Sequence, residues 1–297
     1  VRCYDGDIAR VSLRGHSGPD WVYNIADPSY DLASPMKGPL QALRTGPTDC
    51  ARMAIRLTRK ARLLPAVLLR ETDGEQGGIT TASIGELASC LEQEFAVRRV
   101  VSARLPLVAD ENARITVFRA FLDGDEHCAV EFGGHDSGEP ALVRLHSSCF
   151  TGDVLASLKC DCGQQLQQAI EMIRQRGSGV LLYLNQEGRG IGLLNKIRAY
   201  SLQDQGFDTV EANHRLGFQD DERDFHIAAS MLRSLGHNQV ELITNNPVKV
   251  KAMEDQGIPV VNRLPILTEP NCYNRAYLQT KARKSGHLMK SESGFQL

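Results

Sequence analysis

Three cysteines define the chemistry to be explained. Cys149, Cys160 and Cys162 fall within residues 144–165, R-L-H-S-S-C-F-T-G-D-V-L-A-S-L-K-C-D-C-G-Q-Q, and only Asp161 separates the last two. Clustered thiolates are a metal-site candidate, with zinc the default for sulfur-rich ligation. A structural zinc usually takes four protein ligands, whereas a catalytic one keeps a position for water. No fourth cysteine stands at matching spacing. His146 could close the shell, but its i+3 spacing from Cys149 along a strand would aim it at the opposite face. An open metal site is therefore the leading reading, and a buried or redox-active Cys-x-Cys is the plainer alternative.

Three further polar clusters carry possible chemistry. Gln186-Glu187-Gly188-Arg189-Gly190-Ile191-Gly192 follows an apolar run, as a Gly-rich strand-to-helix turn would. Such a turn exposes backbone N–H groups, Arg189 adds an anion donor, and Glu187 could accept from an amidine edge such as that of guanine. An ordinary tight turn is the bland reading. Asp220, Asp221, Glu222 and Asp224 surround Arg223 just before an expected helix. A solvated helix cap explains most such clusters, but close carboxylates also serve as a general base or hold magnesium on phosphates. Thr244-Asn245-Asn246-Pro247-Val248-Lys249 reads as an Asn cap with Pro at the first helical position, which leaves Lys249 unexplained. Convergence of these clusters at strand-to-helix junctions suggests a phosphorylated substrate beside a metal-activated water.

The elements that must position these residues are legible in the hydrophobic period. Helices are expected at 48–63, ended by Pro65, and from a Ser83 cap to about 93, with a buried strand at 66–69 and a strand at 98–103. That alternation implies a small α/β unit up to about residue 103. Strands at 113–121 and 128–132 flank the turn Asp123-Gly124-Asp125, a hairpin signal, and 141–146 makes a third strand leading to Cys149. Beyond the cysteines, 164–176 is an amphipathic helix stopped by Gly177, and Gly179–Leu184 is a buried strand. Helices at 192–204 and 222–235, a strand at 239–244, a helix at 247–256 and a strand at 258–261 complete the pattern. The expected fold is α/β (α+β mixed): a sheet flanked by helices in a catalytic domain, preceded by a smaller α/β unit.

Composition narrows the class. The 297 residues suffice for two domains, and a net charge of −2 gives no basic field to favour nucleic acid or a membrane surface. No run of about 18 apolar residues appears, and no charged-then-apolar start suggests a signal peptide. Eight scattered cysteines are unlike a secreted disulfide scaffold, so a reducing cytoplasm is expected. Val1 rather than Met stands first, which leaves room for an amino-terminal segment ahead of it.

Residues 104–288 closely resemble GTP cyclohydrolase II, the first enzyme of riboflavin synthesis. The resemblance rests on V-R-L-H-S-S-C-F-T-G-D, S-L-K-C-D-C-G, Q-E-G-R-G-I-G-L-L-N-K-I-R-A-Y-S-L-Q-D-Q-G, N-H-R-L-G-F, D-E-R-D-F and L-I-T-N-N-P. It implies Cys149, Cys160 and Cys162 as ligands of one zinc per subunit, with water in the open position. It implies opening of the guanine imidazole ring at carbon 8, with loss of formate and pyrophosphate. The product would be 2,5-diamino-6-(5-phosphoribosylamino)pyrimidin-4(3H)-one. Asp221 matches the family's proton acceptor and Arg223 its nucleophile toward the α-phosphorus. A guanidinium stays protonated, so charge stabilisation is the easier role for Arg223. Arg144, Leu145, His146, Ser147, Ser148, Gln165, Glu187, Gly188, Arg189, Thr209, Thr244 and Lys249 match GTP-contacting positions. Tyr200 matches a tyrosine associated with the deformylating step. Magnesium on the triphosphate and a homodimer are implied as well. Asn185 departs from the pattern, because many members carry arginine there.

Residues 1–103 faintly resemble 3,4-dihydroxy-2-butanone 4-phosphate synthase. The family's G-H-T-E string is Gly46-Pro47-Thr48-Asp49 here, and its acidic string is missing. A degenerate remnant or dimerisation module is expected there, and a flexible tail at 289–297. Two alternatives stay open beside the ring-opening hydrolase: a non-catalytic nucleotide-binding regulator, and a same-fold enzyme that stops at the formamide or takes another nucleotide.

Overall fold

The computed structural model describes residues 7–13, 18–74, 77–92, 97–121, 124–134, 139–275, 278 and 288. The chain divides into two compact units, one of Val1–Gln93, Leu194–Phe207 and Glu211–Gln219, the other of Glu94–Leu193, Asp208–Val210 and Asp220–Leu297.

The first unit is built from helices α1 (Pro19–Ala26), α2 (Asp49–Lys60) and α3 (Ile84–Glu92), with most of α5 (Gly192–Asp204) and α6 (Thr209–Arg215). Ser83 caps α3 as expected, in a reciprocal box with Glu86: the Ser83 N–H reaches Glu86 Oε2 at 2.7 Å, and the Glu86 N–H reaches Ser83 Oγ at 3.1 Å. The strand expected at 66–69 does not form, and Leu68 and Leu69 lie exposed. A short apolar run without a neighbouring strand has no ladder to join. Among the described residues of this unit, β pairing is confined to the isolated antiparallel bridge of Val11 with Ala42.

The second unit holds a seven-stranded mixed sheet in the order β1-β2-β3-β5-β4-β6-β7. Its strands are β1 (Val97–Arg104), β2 (Arg114–Ala120), β3 (Glu126–Phe132), β4 (Ala141–Ser147), β5 (Gly179–Leu184), β6 (Val240–Ile243) and β7 (Val260–Leu264). Strand β1, grouped by its sequence pattern with the helices before it, takes its hydrogen bonds from β2. β1, β2 and β3 form an antiparallel meander, and β5, β4, β6 and β7 run parallel. The β2–β3 hairpin forms as expected, although Asp123 of its turn lies outside the described residues. β3 joins the two halves by pairing antiparallel with β5.

Helices cover both faces of this sheet, as parallel strands require. Ala141, Val143 and Leu145 of β4 pack with α7 (His226–Ser234) and with Met253 of α8 (Pro247–Asp255). Leu142 of β4 and Leu181 of β5 face the other way, against Ala169 and Ile173 of α4 (Cys162–Arg176). The two-residue period of a strand puts Arg144 and His146 on the Leu142 side, the side of α4. Helix α4 ends where Gly177 turns left-handed, at φ 87°, as expected. Helix α7 starts at His226 rather than near 222, so the acidic cluster lies in the loop ahead of it, with Asp224 Oδ1 accepting the His226 N–H. No helix among the described residues is long and apolar enough to cross a membrane.

Candidate active site

The three cysteines converge. The Sγ atoms of Cys149, Cys160 and Cys162 lie within 4.8 Å of one another, and those of Cys149 and Cys160 are 3.7 Å apart. Tetrahedral thiolate ligation at about 2.3 Å from a zinc places neighbouring sulfurs roughly 3.8 Å apart, so the spacing fits a metal. Disulfide bonding is absent: all three are free thiols. The hydrogen bond with Cys149, followed by burial and the charge of that neighbouring sulfur, pushes the Cys160 thiol above its ordinary value. Gly152 makes the approach possible, because a Cβ there would meet Cys160 Sγ at 2.8 Å and Cys149 Sγ at 3.1 Å. Among the described residues this is the one group of three or more such side chains, and His146 is not in it.

Strand β4 delivers the residues beside the thiols. The buried Arg144 guanidinium donates to the Ile243 carbonyl at 3.0 Å and to Gln165 Oε1 at 2.7 Å, and burial lowers its pKa to about 10. Gln165 in turn donates to Asp161 Oδ2 at 2.5 Å, between the two later cysteines. Leu145 is fully buried in the core, and its carbonyl accepts from Lys249 Nζ at 2.8 Å. His146 turns away from the thiols to Asp153, 3.0 Å from Nε2, and burial lowers its pKa. Strand alternation was expected to set His146 apart from Cys149. The chain leaves the strand after Ser147, however, so both His146 and the Cys149 amide reach the same Asp153. Ser148 donates its N–H to the Leu184 carbonyl, and its Oγ is buried without a hydrogen bond.

The Gly-rich turn is a left-handed corner. Gly188, Arg189 and Gly190 have φ of 64°, 62° and 93°, so the non-glycine Arg189 sits in a strained conformation. The corner is tied to the acidic loop: Glu222 N–H donates to the Arg189 carbonyl at 2.9 Å, Arg189 Nη1 to the Asp220 carbonyl at 3.3 Å, and Gln186 Nε2 to the Asp224 carbonyl at 2.7 Å. Glu187 is buried, and its Oε2 accepts the Phe150 N–H at 2.6 Å, which anchors the turn of the first cysteine. In that loop Arg223 pairs with Asp221 and extends Nη1 to Ser147 Oγ at 3.4 Å. Asn185, the departure noted above, donates its side-chain amide to Asp125 Oδ1 at 3.3 Å, in the turn between β2 and β3.

At the end of β6, Asn246 caps α8 by accepting the Val248 N–H at 3.0 Å, with Pro247 next, as expected. Thr244 Oγ1 accepts the Asn246 N–H at 3.0 Å. The Lys249 ammonium lies 5.4 Å from the centre of the Phe225 ring, and the Arg223 guanidinium lies 5.1 Å from it. Thr209 opens α6. Tyr200 lies on α5 within the helical unit, where Lys196 Nζ sits 5.7 Å from its ring.

The structure thus brings the three cysteines, residues 144–148, Gln165 and Lys249 to the carboxyl ends of β4, β5 and β6, with the 187–189 corner and the Asp221–Arg223 pair bonded to them. Asp153, Tyr183 and Phe225 were missed in the sequence. Only the Thr-Gly-Asp run after Cys149 hinted at the first, and apolar patterning hid the other two.

The chain is similar to known proteins over most of its length. The family described as GTP cyclohydrolase II matches residues 98–265. A GTP cyclohydrolase-2 of Azospirillum brasilense is 47% identical over 291 residues, covering 95% of this chain and 76% of that protein. A GTP cyclohydrolase-2 of Shigella dysenteriae serotype 1 is 51% identical over 193 residues, 65% of this chain and 98% of its own length. A riboflavin biosynthesis protein RibBA of Chlorobium phaeovibrioides is 43% identical over 267 residues, and this chain spans 64% of its length. On the family match and on identity across most of its length, the chain belongs to the GTP cyclohydrolase II family.

Proposed function

We propose that this protein hydrolyses GTP in riboflavin biosynthesis, opening the guanine imidazole ring and releasing formate and pyrophosphate. One observation carries the reading: Arg223, paired with Asp221, reaches Ser147, two residues ahead of the first of three convergent thiols. Acid–base and charge-stabilising groups therefore stand against a site for a soft divalent ion. Cys149, Cys160 and Cys162 would hold zinc, which supplies Lewis acidity and lowers the pKa of water. Magnesium would accompany the triphosphate as part of the substrate.

The chain's own residues divide the remaining tasks. Arg144, Arg189, Arg223 and Lys249 supply positive charge for the phosphates, and loss of pyrophosphate breaks the bond at the α-phosphorus. Arg223 acts by stabilising charge rather than by attack, because a guanidinium offers no free lone pair at neutral pH. Asp221 accepts protons during ring opening. While Arg223 grips both its oxygens it is a weak base, so substrate binding must draw the guanidinium toward phosphate and free the carboxylate. Glu187, Gly188 and Arg189 line the corner expected to meet the guanine, and Tyr200 serves the second hydrolysis, which releases formate. Residues 1–103 are read as a degenerate dihydroxybutanone-phosphate-synthase-like region, and the working form as a cytoplasmic homodimer.

Incubation with GTP and magnesium, with formate and pyrophosphate counted per GTP consumed, tests the proposal. One of each supports it. Pyrophosphate without formate points to an enzyme that stops at the formamide, and neither product leaves a nucleotide-binding regulator.

A further inference from the structure

We infer that Asp153 is a positioning residue that locks the first cysteine and the substrate-facing strand into one arrangement. The inference rests on the reading of the three cysteines as metal ligands. Asp153 lies in the tight turn Phe150–Val154, between Cys149 and Cys160, and its side chain is only 4% exposed. A carboxylate buried this deeply needs donors, and it has three. The Cys149 N–H reaches Oδ2 at 2.9 Å, the Tyr183 hydroxyl donates to Oδ2 at 2.9 Å, and His146 Nε2 lies 3.0 Å from Oδ1 and 3.1 Å from Oδ2.

These donors come from two stretches of chain, residues 146–149 and Tyr183. His146 and Tyr183 are register partners on the parallel strands β4 and β5, and their rings stack with centroids 5.6 Å apart. Cys149 belongs to the turn beyond β4. One carboxylate thus fixes the backbone of a candidate ligand and the side chain of a candidate GTP-contacting histidine together. His146 Nδ1 makes no hydrogen bond within the protein. Groups that hold a ligand in place without touching the metal typically change metal affinity by about 10- to 100-fold when replaced.

Full-length wild type, Asp153→Asn and Tyr183→Phe, each reconstituted with zinc, provide the test, with zinc affinity read by chelator competition and folding by thermal unfolding. Asparagine keeps the size but offers one accepting oxygen to three donors. Asp153→Asn is expected to weaken zinc about 10- to 100-fold and to raise KM for GTP, since both the ligand turn and His146 lose their fixed partner. Tyr183→Phe removes one donor and spares the carboxylate, so a smaller loss of about 3- to 10-fold is expected. Wild type that holds zinc, beside variants with unchanged zinc affinity and KM, overturns the role of Asp153 alone. Wild type that holds no zinc overturns the metal reading and this inference with it. If Asp153→Asn does not fold, Tyr183→Phe decides, and unchanged zinc affinity in that variant counts against the inference.

Discussion

Arg223 grips Asp221 by both carboxylate oxygens, with Nε 2.7 Å from Oδ1, Nη2 2.5 Å from Oδ2, and its own backbone N–H 3.1 Å from Oδ1. Burial alone would push the Asp221 carboxyl up, but the Arg223 hydrogen bonds and charge outweigh it and hold the group below its ordinary 3.8. A carboxyl depressed in the folded state stabilises fully above its unfolded value and loses that contribution as pH falls through its folded value. The difference in unfolding free energy between wild type and Asp221→Asn should therefore stay constant from pH 7 to about pH 5 and shrink below about 3.8. Denaturant titrations across that range check this, and a difference that changes between pH 6 and 7 contradicts it. Turnover of Asp221→Asn should fall about 10²- to 10⁴-fold, the usual range for loss of a general acid or base.

Two glycines allow close approaches in different parts of the site. A Cβ on Gly190 would lie 2.7 Å from the Glu222 carbonyl carbon and oxygen, and its φ of 93° disfavours any side chain. Backbone cannot yield as a flexible side chain can, so Gly190→Ala must displace the loop that carries Asp221 and Arg223. Misplacement of about 1 Å costs on the order of 10²-fold in rate, and zinc content should be unaffected. Gly152→Ala should instead lower zinc affinity, because its Cβ intrudes on the sulfurs. Metal analysis beside turnover separates the two, and zinc loss in Gly190→Ala would contradict the division.

Tyr200→Phe is expected to slow formate release more than pyrophosphate release, because the resemblance assigns the tyrosine to the second hydrolysis alone. Single-turnover measurements of both products decide it, and equal slowing of the two removes the assignment.

Much of the second unit was legible because its elements carry clean periods. β2, β4, β5 and α4 fall close to their expected places: the buried strand β5 reads as an apolar run, and α4 repeats Leu166, Ala169, Ile170 and Ile173 before Gly177. Sheet order was not legible, since β5 enters between β3 and β4 through contacts far apart in sequence. α6 escaped notice because seven residues hold too few turns for a period to show. In the site, the cysteine spacing was legible as a candidate metal cluster, and its thiols do converge, while the strand-end clusters were legible only as a candidate anion site. The Asp153 network was not legible, because it depends on the chain turning after Ser147, where strand alternation stops applying.

If the guanine ring is opened at the three-thiol site, formate release depends on the metal held there. Formate released per GTP by Cys160→Ser and by wild type, with zinc measured in the same samples, tests it most directly. Wild type is expected to hold one zinc per subunit and to release one formate per GTP, and the variant to lose both the zinc and formate release. Full zinc occupancy with normal formate release in Cys160→Ser would contradict it.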